Sequence, residues 1–427
     1  MSSPGEPDNP YLIQIRNRED LIFVLCEAST LEHMIMCEYL FAAFSIKRSE
    51  SDGLAQQQLD RVRSWERVIT SVAIQEMTHL ALVNNMLVSI GSSPYFLHSN
   101  FPQPSRYFSP NFRLALIPFG EQALRHFLYL ERPEGMSIQG VPGFEVLGDL
   151  NPSELKGRIT PQAQYFTTVG NLYRGIEKGF KDLVSKYGED GLFIGTRSTQ
   201  ATEDLFGLEG LFPVKDLASA VRAVEAIVEM GEGARGKWEN AHFGKFLGIY
   251  KEFMEMKKND LNFHPTKPVV AAYVRPPQEA ENLPLISDPF TAELADLFNA
   301  TYSLLIEILA RFYVHGIERE GELQSLVGAA VGMMISVIKP LGIALTELPV
   351  GNRYVGLTTG PTFELQHREY VLTRRDQAFM ILQERSMELA EYAESLSKEA
   401  ALPSLSDVLK SVAESLTETA KGFQLQE

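Results

Sequence analysis

The sequence predicts an all-α protein, a four-helix bundle with one long crossover followed by a C-terminal helical extension. Three observations predict it. Apolar residues recur at helical spacing over most of the chain, little reads as strand, and a proline- and aromatic-rich stretch at 92–120 separates the second long helix from the next. With 427 residues, 44% of them hydrophobic and 22% charged, the chain can bury a sizeable core, and wholesale disorder is excluded.

The elements follow in order. The first long helix is expected from about Glu19 to Lys47, with Leu21, Leu25, Ala28, Ile35 and Tyr39 on one stripe. The polar stretch Arg48 to Arg63 reads as a loop or a frayed helix start. A second helix spans about Trp65 to Ile90 and stops at Gly91. The 92–120 stretch then interleaves prolines with Phe96, Phe101, Tyr107, Phe108, Phe112 and Phe119; it reads either as a pocket lining or as a crossover pinned by its rings. A short helix at about Glu121–Glu131 leads to an irregular stretch reaching Thr160. The third long helix covers about Gln162–Tyr187. The fourth runs from near Lys215 to about Lys257, interrupted at Gly231, Gly233 and Gly236.

Six prolines between 264 and 289 mark a linker or surface strap, and Val269–Val274 is the best strand candidate. Beyond it, helices are expected at Thr291–Ile317, Glu322–Thr346, Gln366–Ser397 and after Pro403. No repeat period is present. The expected organisation is a flexible N-terminus (1–14), a bundle (15–263), the strap (264–289) and a C-terminal helical region (290–427).

Charge and cysteines narrow the partners. Lys plus Arg is 39 and Asp plus Glu 55, giving 39 − 55 = −16, which disfavours nucleic acid and anionic membrane surfaces. Cys26 and Cys37 lie about 16 Å apart along one helix and cannot pair, so a reducing cytoplasm is expected. The first ten residues lack the basic end and apolar run of a signal peptide. The most hydrophobic window, Leu323–Leu348, is interrupted by Lys339 and Pro340, so no membrane span is expected. Its Gly328 and Gly332 read as a closely packed buried helix rather than a membrane dimer contact.

The chemistry concentrates in Glu76-Met77-Thr78-His79. A Glu and a His three apart project from one helix face and can share a metal. Glu76 lies on the stripe of Val72, His79, Leu80 and Val83, and a buried carboxylate needs a cation, a proton or a hydrogen-bond network. On the first helix Glu32 sits among Leu25, Ala28, Ile35 and Tyr39; on the third, Glu177 lies among Tyr173, Ile176 and Phe180. On the fourth, Glu232 follows Val224 and Val228, and Glu239-Asn240-Ala241-His242 forms a second Glu-x-x-His.

Four helices thus offer inward carboxylates and two add a histidine, which is the ligand set of di-metal carboxylate bundles. Carboxylates bridge two cations and offset their charge, while imidazoles tune the donor strength. The expected metal ligands are Glu32, Glu76, His79, Glu177, Glu232 and His242, with Glu38 and Glu239 as alternatives or supporting groups. No catalytic residue beyond these stands out. His33, about 100° from Glu32, reads as a structural hydrogen-bonding group; His126, His264, His315 and His367 read as ordinary. The glycine-rich loop 351–362 reads as a turn or a pocket wall.

Several segments resemble a known family. These are Leu31-Glu32-His33 with Tyr39-Leu40, the run Gln75 to Leu87, Leu172 to Gly179, Gly231-Glu232-Gly233, His242 to Phe246, Leu297 to Tyr302 and Gly360 to Glu364. They are similar to the ferritin-like domain of iminophenyl-pyruvate dimer synthases, enzymes of bisindole pigment and alkaloid pathways. The resemblance implies a ferritin-like fold and the carboxylate–histidine site above.

It also implies a natural-product oxidoreductase that holds two iron ions, with manganese the alternative. Such an enzyme uses dioxygen or hydrogen peroxide to oxidise or couple a small amino-acid-derived metabolite. The readings held beside it are manganese-catalase-like peroxide dismutation, iron storage, and a non-enzymatic metal-binding or interaction protein with satisfied buried carboxylates. A homodimer is an open option.

Overall fold

A computed structural model of the chain describes residues 13–104, 112–133, 160–161, 164, 166, 168–233, 238–275, 283–316, 318, 320–365 and 371–424. At its centre is α1 (Arg18–Phe44), started by Asn17, whose side-chain oxygen accepts from the Asp20 amide at 2.9 Å. Apolar residues surround this helix on all sides, so it is buried nearly all round. Its antiparallel partner α2 (Gln56–Ser89) is about 51 Å long. Asn84 against Ser29, and Glu66 against Arg48, fix their register.

The described rings of the crossover pin it down. Phe96 and Phe101 are buried, Phe112 stacks on His126 and Phe119 packs against Trp65. A two-residue ribbon, β1 (Gln103–Pro104) with β2 (Arg113–Leu114), is the only regular strand pair among the described residues. Val269–Val274 makes only isolated bridges, Val269 to Thr358 and Tyr273 to Leu285, because it runs as a strap between loops.

The bundle continues with α3 (Glu121–Leu130), α4 (Val169–Tyr187), the single turns α5 (Glu189–Leu192) and α6 (Glu203–Phe206), α7 (Leu217–Gly231) and α8 (His242–Asn259). α4 pairs with α7, and α3 with α8. The N-terminal residues Ile13 and Ile15 press on α4 at Gly175 and Gly179, where a Cβ would stand 2.6 and 2.5 Å from their side chains.

The C-terminal helices are α9 (Pro289–Tyr313), α10 (Glu320–Met333), α11 (Lys339–Leu345), α12 (Arg375–Glu399) and α13 (Pro403–Gly422). α9 reaches α1 and α2 through two phenols: that of Tyr302 is 2.5 Å from His33 Nε2, and that of Tyr313 donates to the Ala81 carbonyl at 3.2 Å. A π-helical turn at Met334–Ile338 joins α10 to α11. The run Gly321–Leu345 is long and apolar enough to cross a membrane; here it packs against α9 and α13. Close packing at Gly328 and Gly332 is not found: a Cβ at either would meet nothing within 4 Å, because that side of the helix faces outward.

Candidate metal centre

Three polar groups converge where α1 crosses α2. Glu76 and His79, one turn apart on α2, face Glu32 of α1; His79 Nδ1 lies 2.8 Å from Glu76 Oε2 and 3.5 Å from Glu32 Oε2. The other oxygen of Glu76 serves a second triad. Glu76 Oε1 is 2.9 Å from Nδ1 of His242, the first residue of α8, and that nitrogen is 3.4 Å from Glu131 Oε1 at the end of α3. Within each triad the ligand atoms lie within 4.8 Å of one another, and all five residues are buried. Glu76 therefore sits between two donor sets with one oxygen in each.

Surrounding groups orient the donors. The Tyr173 phenol donates to Glu32 Oε1 and the Tyr39 phenol to Glu131 Oε1, each at 2.5 Å. His242 Nε2 is 3.1 Å from Gln75 Oε1, which also accepts from Lys245 Nζ at 2.8 Å. An amide oxygen only accepts, so Nε2 carries a proton, and when the ring is neutral its Nδ1 is the nitrogen left to share a cation with the two carboxylates. The imidazoles of His79 and His242 stack at 5.5 Å.

Electrostatics show what the metal-free cluster must do. Burial pushes the Glu32 carboxyl up to about 7 against the pull of His79. For Glu76, burial opposes ionisation, but the charges of His79 and His242 outweigh it and hold the carboxyl well below its usual range. Burial alone would lower His79; Glu76 and Glu32 instead raise it to about 10. Glu131 and Glu76 raise His242 in the same way. Without cations, protons on the imidazoles balance the carboxylates.

The profile of the Ferritin-like family matches residues 25–251, more than half of the sequence. The chain belongs to the Ferritin-like family. Among its relatives is dichlorochromopyrrolate synthase of Lentzea aerocolonigenes, 26% identical over 89% of this chain. Another is 2-imino-3-(indol-3-yl)propanoate dimerase of Chromobacterium violaceum, 24% identical over 82% of it. The match spans 39% and 34% of those proteins' own lengths. The crystal structure of a ferritin-like protein from Caulobacter vibrioides shares the fold, with a TM-score of 0.50 at 17% identity, covering 77% of this chain and 96% of that one.

Of the residues singled out in the sequence, the ferritin-like bundle brings Glu32, Glu76, His79 and His242 together. Glu177 is not among them. Its carboxylate lies on the outer side of α4, paired with Arg174 at 3.4 Å and Lys181 at 2.5 Å. Glu232 is buried but turned away, accepting from the Gly170 amide at 2.7 Å just past the end of α7. Glu239 is exposed. Glu38 fastens the crossover instead, accepting from the Ala115 amide at 2.5 Å and lying 3.1 Å from His126 Nε2. His126 is thus paired rather than isolated, and His367 lies outside the described residues.

Glu131 takes the place expected for a carboxylate of the third or fourth helix, and sequence reasoning missed it. Its Oε2 sits against Gly231, where a Cβ would approach to 3.2 Å. The signal was present: Leu124, Phe127, Leu128 and Glu131 share one stripe of the short helix.

Proposed function

We propose that this chain is a di-metal oxidoreductase that couples two small amino-acid-derived imines, with dioxygen or hydrogen peroxide as oxidant. The observation that carries the reading is Glu76, whose two oxygens each belong to a separate buried triad, Glu32–His79 on one side and Glu131–His242 on the other. A carboxylate so placed is suited to bridge two cations.

The residues fit such a pair. The Nδ1 of His242 is 2.9 Å from Glu76 Oε1 yet makes no well-formed hydrogen bond, as expected of two donors that converge on a shared centre. Iron is the metal we assign, with manganese the alternative, and its chemistry when bound would be to pass electrons from substrate to oxidant.

The chain's own groups would do the rest. Glu32, Glu76 and Glu131 offset the cationic charge, and the phenols of Tyr39 and Tyr173, held protonated by burial, keep the outer carboxylates oriented. Gln75 fixes the His242 tautomer and also lines an open groove along α2, so it connects the cluster to that groove.

The net reaction joins two imine molecules by one carbon–carbon bond and removes two electrons and two protons. Hydrogen peroxide takes them up to give two waters, or dioxygen to give hydrogen peroxide. Indole-bearing imines are the substrate we favour, because 2-imino-3-(indol-3-yl)propanoate appears in the name of one relative. Consumption of oxidant by the iron-loaded protein, with and without the imine generated from indole-3-pyruvate and ammonia, tests this. Consumption that depends on the imine and yields a coupled dimer by mass spectrometry is expected. Peroxide consumed without imine, with oxygen evolved, would make the protein a catalase instead.

A further inference from the structure

A second set of donors lies on the other flank of the α1–α2 pair. His33 of α1 and His98 of the crossover both present Nε2 to the phenol oxygen of Tyr302 on α9, at 2.5 and 3.0 Å. Cys37, one turn beyond His33, brings its Sγ to 3.3 Å from the same oxygen. All four side chains are buried.

Counting protons shows that this cluster is short of one. The Nδ1 of His33 is 2.7 Å from the Phe96 carbonyl and that of His98 is 3.0 Å from the Ser99 carbonyl. Carbonyls only accept, so both Nδ1 atoms carry protons and both neutral rings aim Nε2 lone pairs at Tyr302. The phenol has a single hydrogen and satisfies one of them. The other lone pair faces oxygen lone pairs, a costly contact inside a core. A cation placed between the donors resolves it.

We propose that His33, Cys37 and His98, with the Tyr302 phenol as fourth donor, bind one divalent transition cation of the zinc or cobalt type, separately from the carboxylate centre. Two nitrogens, a sulfur and an oxygen are a tetrahedral donor set of that class. The three side chains already hold one ligand atom each within 4.8 Å of the others, where bonded zinc needs roughly 3.3–3.6 Å between donors. Cys37 and Tyr302 each lose a proton to solvent on binding, and the resulting thiolate and phenolate offset the dication in a dry site.

The surroundings are built for a fixed occupant. His33 and Tyr302 form part of the wall of a cavity of about 310 Å³, lined mainly by apolar side chains. Phe363 packs edge-on against Tyr302 at 5.4 Å, held at a φ of 47° that a bulky residue rarely adopts.

Cobalt(II) chloride titrated into chelator-stripped protein tests the site, because thiolate–cobalt charge transfer gives a near-ultraviolet band that the carboxylate centre, with no thiol, cannot give. The expected band reaches the intensity of a single thiolate–cobalt site, whatever further cobalt the carboxylate centre takes up. It survives in Cys26→Ser, His79→Gln and His242→Gln, disappears in Cys37→Ser, and needs about tenfold or more cobalt in His98→Gln. No band in the wild-type protein, or a band lost in Cys26→Ser and kept in Cys37→Ser, overturns the proposal. The wild-type titration decides even where a variant fails to fold. Failure of the carboxylate centre to load would leave this band in place, so the two readings fail separately.

Discussion

Replacing Glu131 with glutamine separates the metal centre proposed from the structure from the one expected from the sequence. The variant keeps the shape of the side chain and an oxygen to accept from Tyr39, now 2.5 Å away, and removes only a negative charge that stands 3.4 Å from His242 Nδ1. Two unit charges about 4 Å apart interact by about 4 kcal/mol at an effective dielectric constant of 20. Losing that attraction to a bound cation weakens binding by about three orders of magnitude.

Glu177→Gln removes instead a surface partner of Arg174 and Lys181, a change worth less than about 1 kcal/mol and felt only in stability. Glu232→Gln keeps its bond to the Gly170 amide and should likewise leave metal binding unchanged. Competition of iron(II) or manganese(II) against a chromophoric chelator gives all three affinities. Wild-type affinity in Glu131→Gln, or a large loss in Glu177→Gln, would refute the assignment of the second triad.

Three further outcomes follow from the same geometry. Tyr39→Phe and Tyr173→Phe each leave an outer carboxylate without its donor and should weaken metal binding about 10–100-fold, read by the same competition. Metal uptake should release at least one proton at pH 7, because His79, raised to about 10, is protonated in the metal-free state and must lose its proton to bind, and Glu32, pushed up to about 7, adds to the release. Apparent affinity should therefore fall about tenfold or more as pH drops from 7 to 6, and calorimetry in buffers of different ionisation enthalpy measures the release; no buffer dependence would contradict it. Gly179→Ala should lower stability by about 1–3 kcal/mol in thermal unfolding without altering metal content, since its Cβ would meet the branched Ile15 at 2.5–2.9 Å, far from the cluster.

Much of the bundle was legible because it rests on helical periodicity. The stripe carrying Glu76 and His79, and that carrying Glu32, place those side chains inward in the sequence and in the structure alike. The same arithmetic failed for Glu177. The buried arc of α4 runs from Gly175 and Gly179 through Ile176 to Tyr173, and Glu177 falls just beyond its edge. Glycines carry no apolar signal, so their burial under Ile13 and Ile15, which turns the arc away from Glu177, is invisible to a hydrophobic stripe.

Glu131 was legible but lay on a helix that reads as a connection. His98 had no signal at all. It lies in an extended crossover without periodicity, and only the fold brings it to His33 and Tyr302 across 204 residues of sequence. Glu232 and His242 were separated by an interruption whose path no spacing rule gives.

Metal content tests the central claim most directly. Elemental analysis of the purified chain, reconstituted with iron(II) or manganese(II), should find about two equivalents at the carboxylate centre. Glu76→Ala should lose both, because each triad uses one of its oxygens, and His79→Ala should lose at least one. A wild-type protein that takes up neither metal, with Glu76→Ala as stable as the parent, would contradict the account.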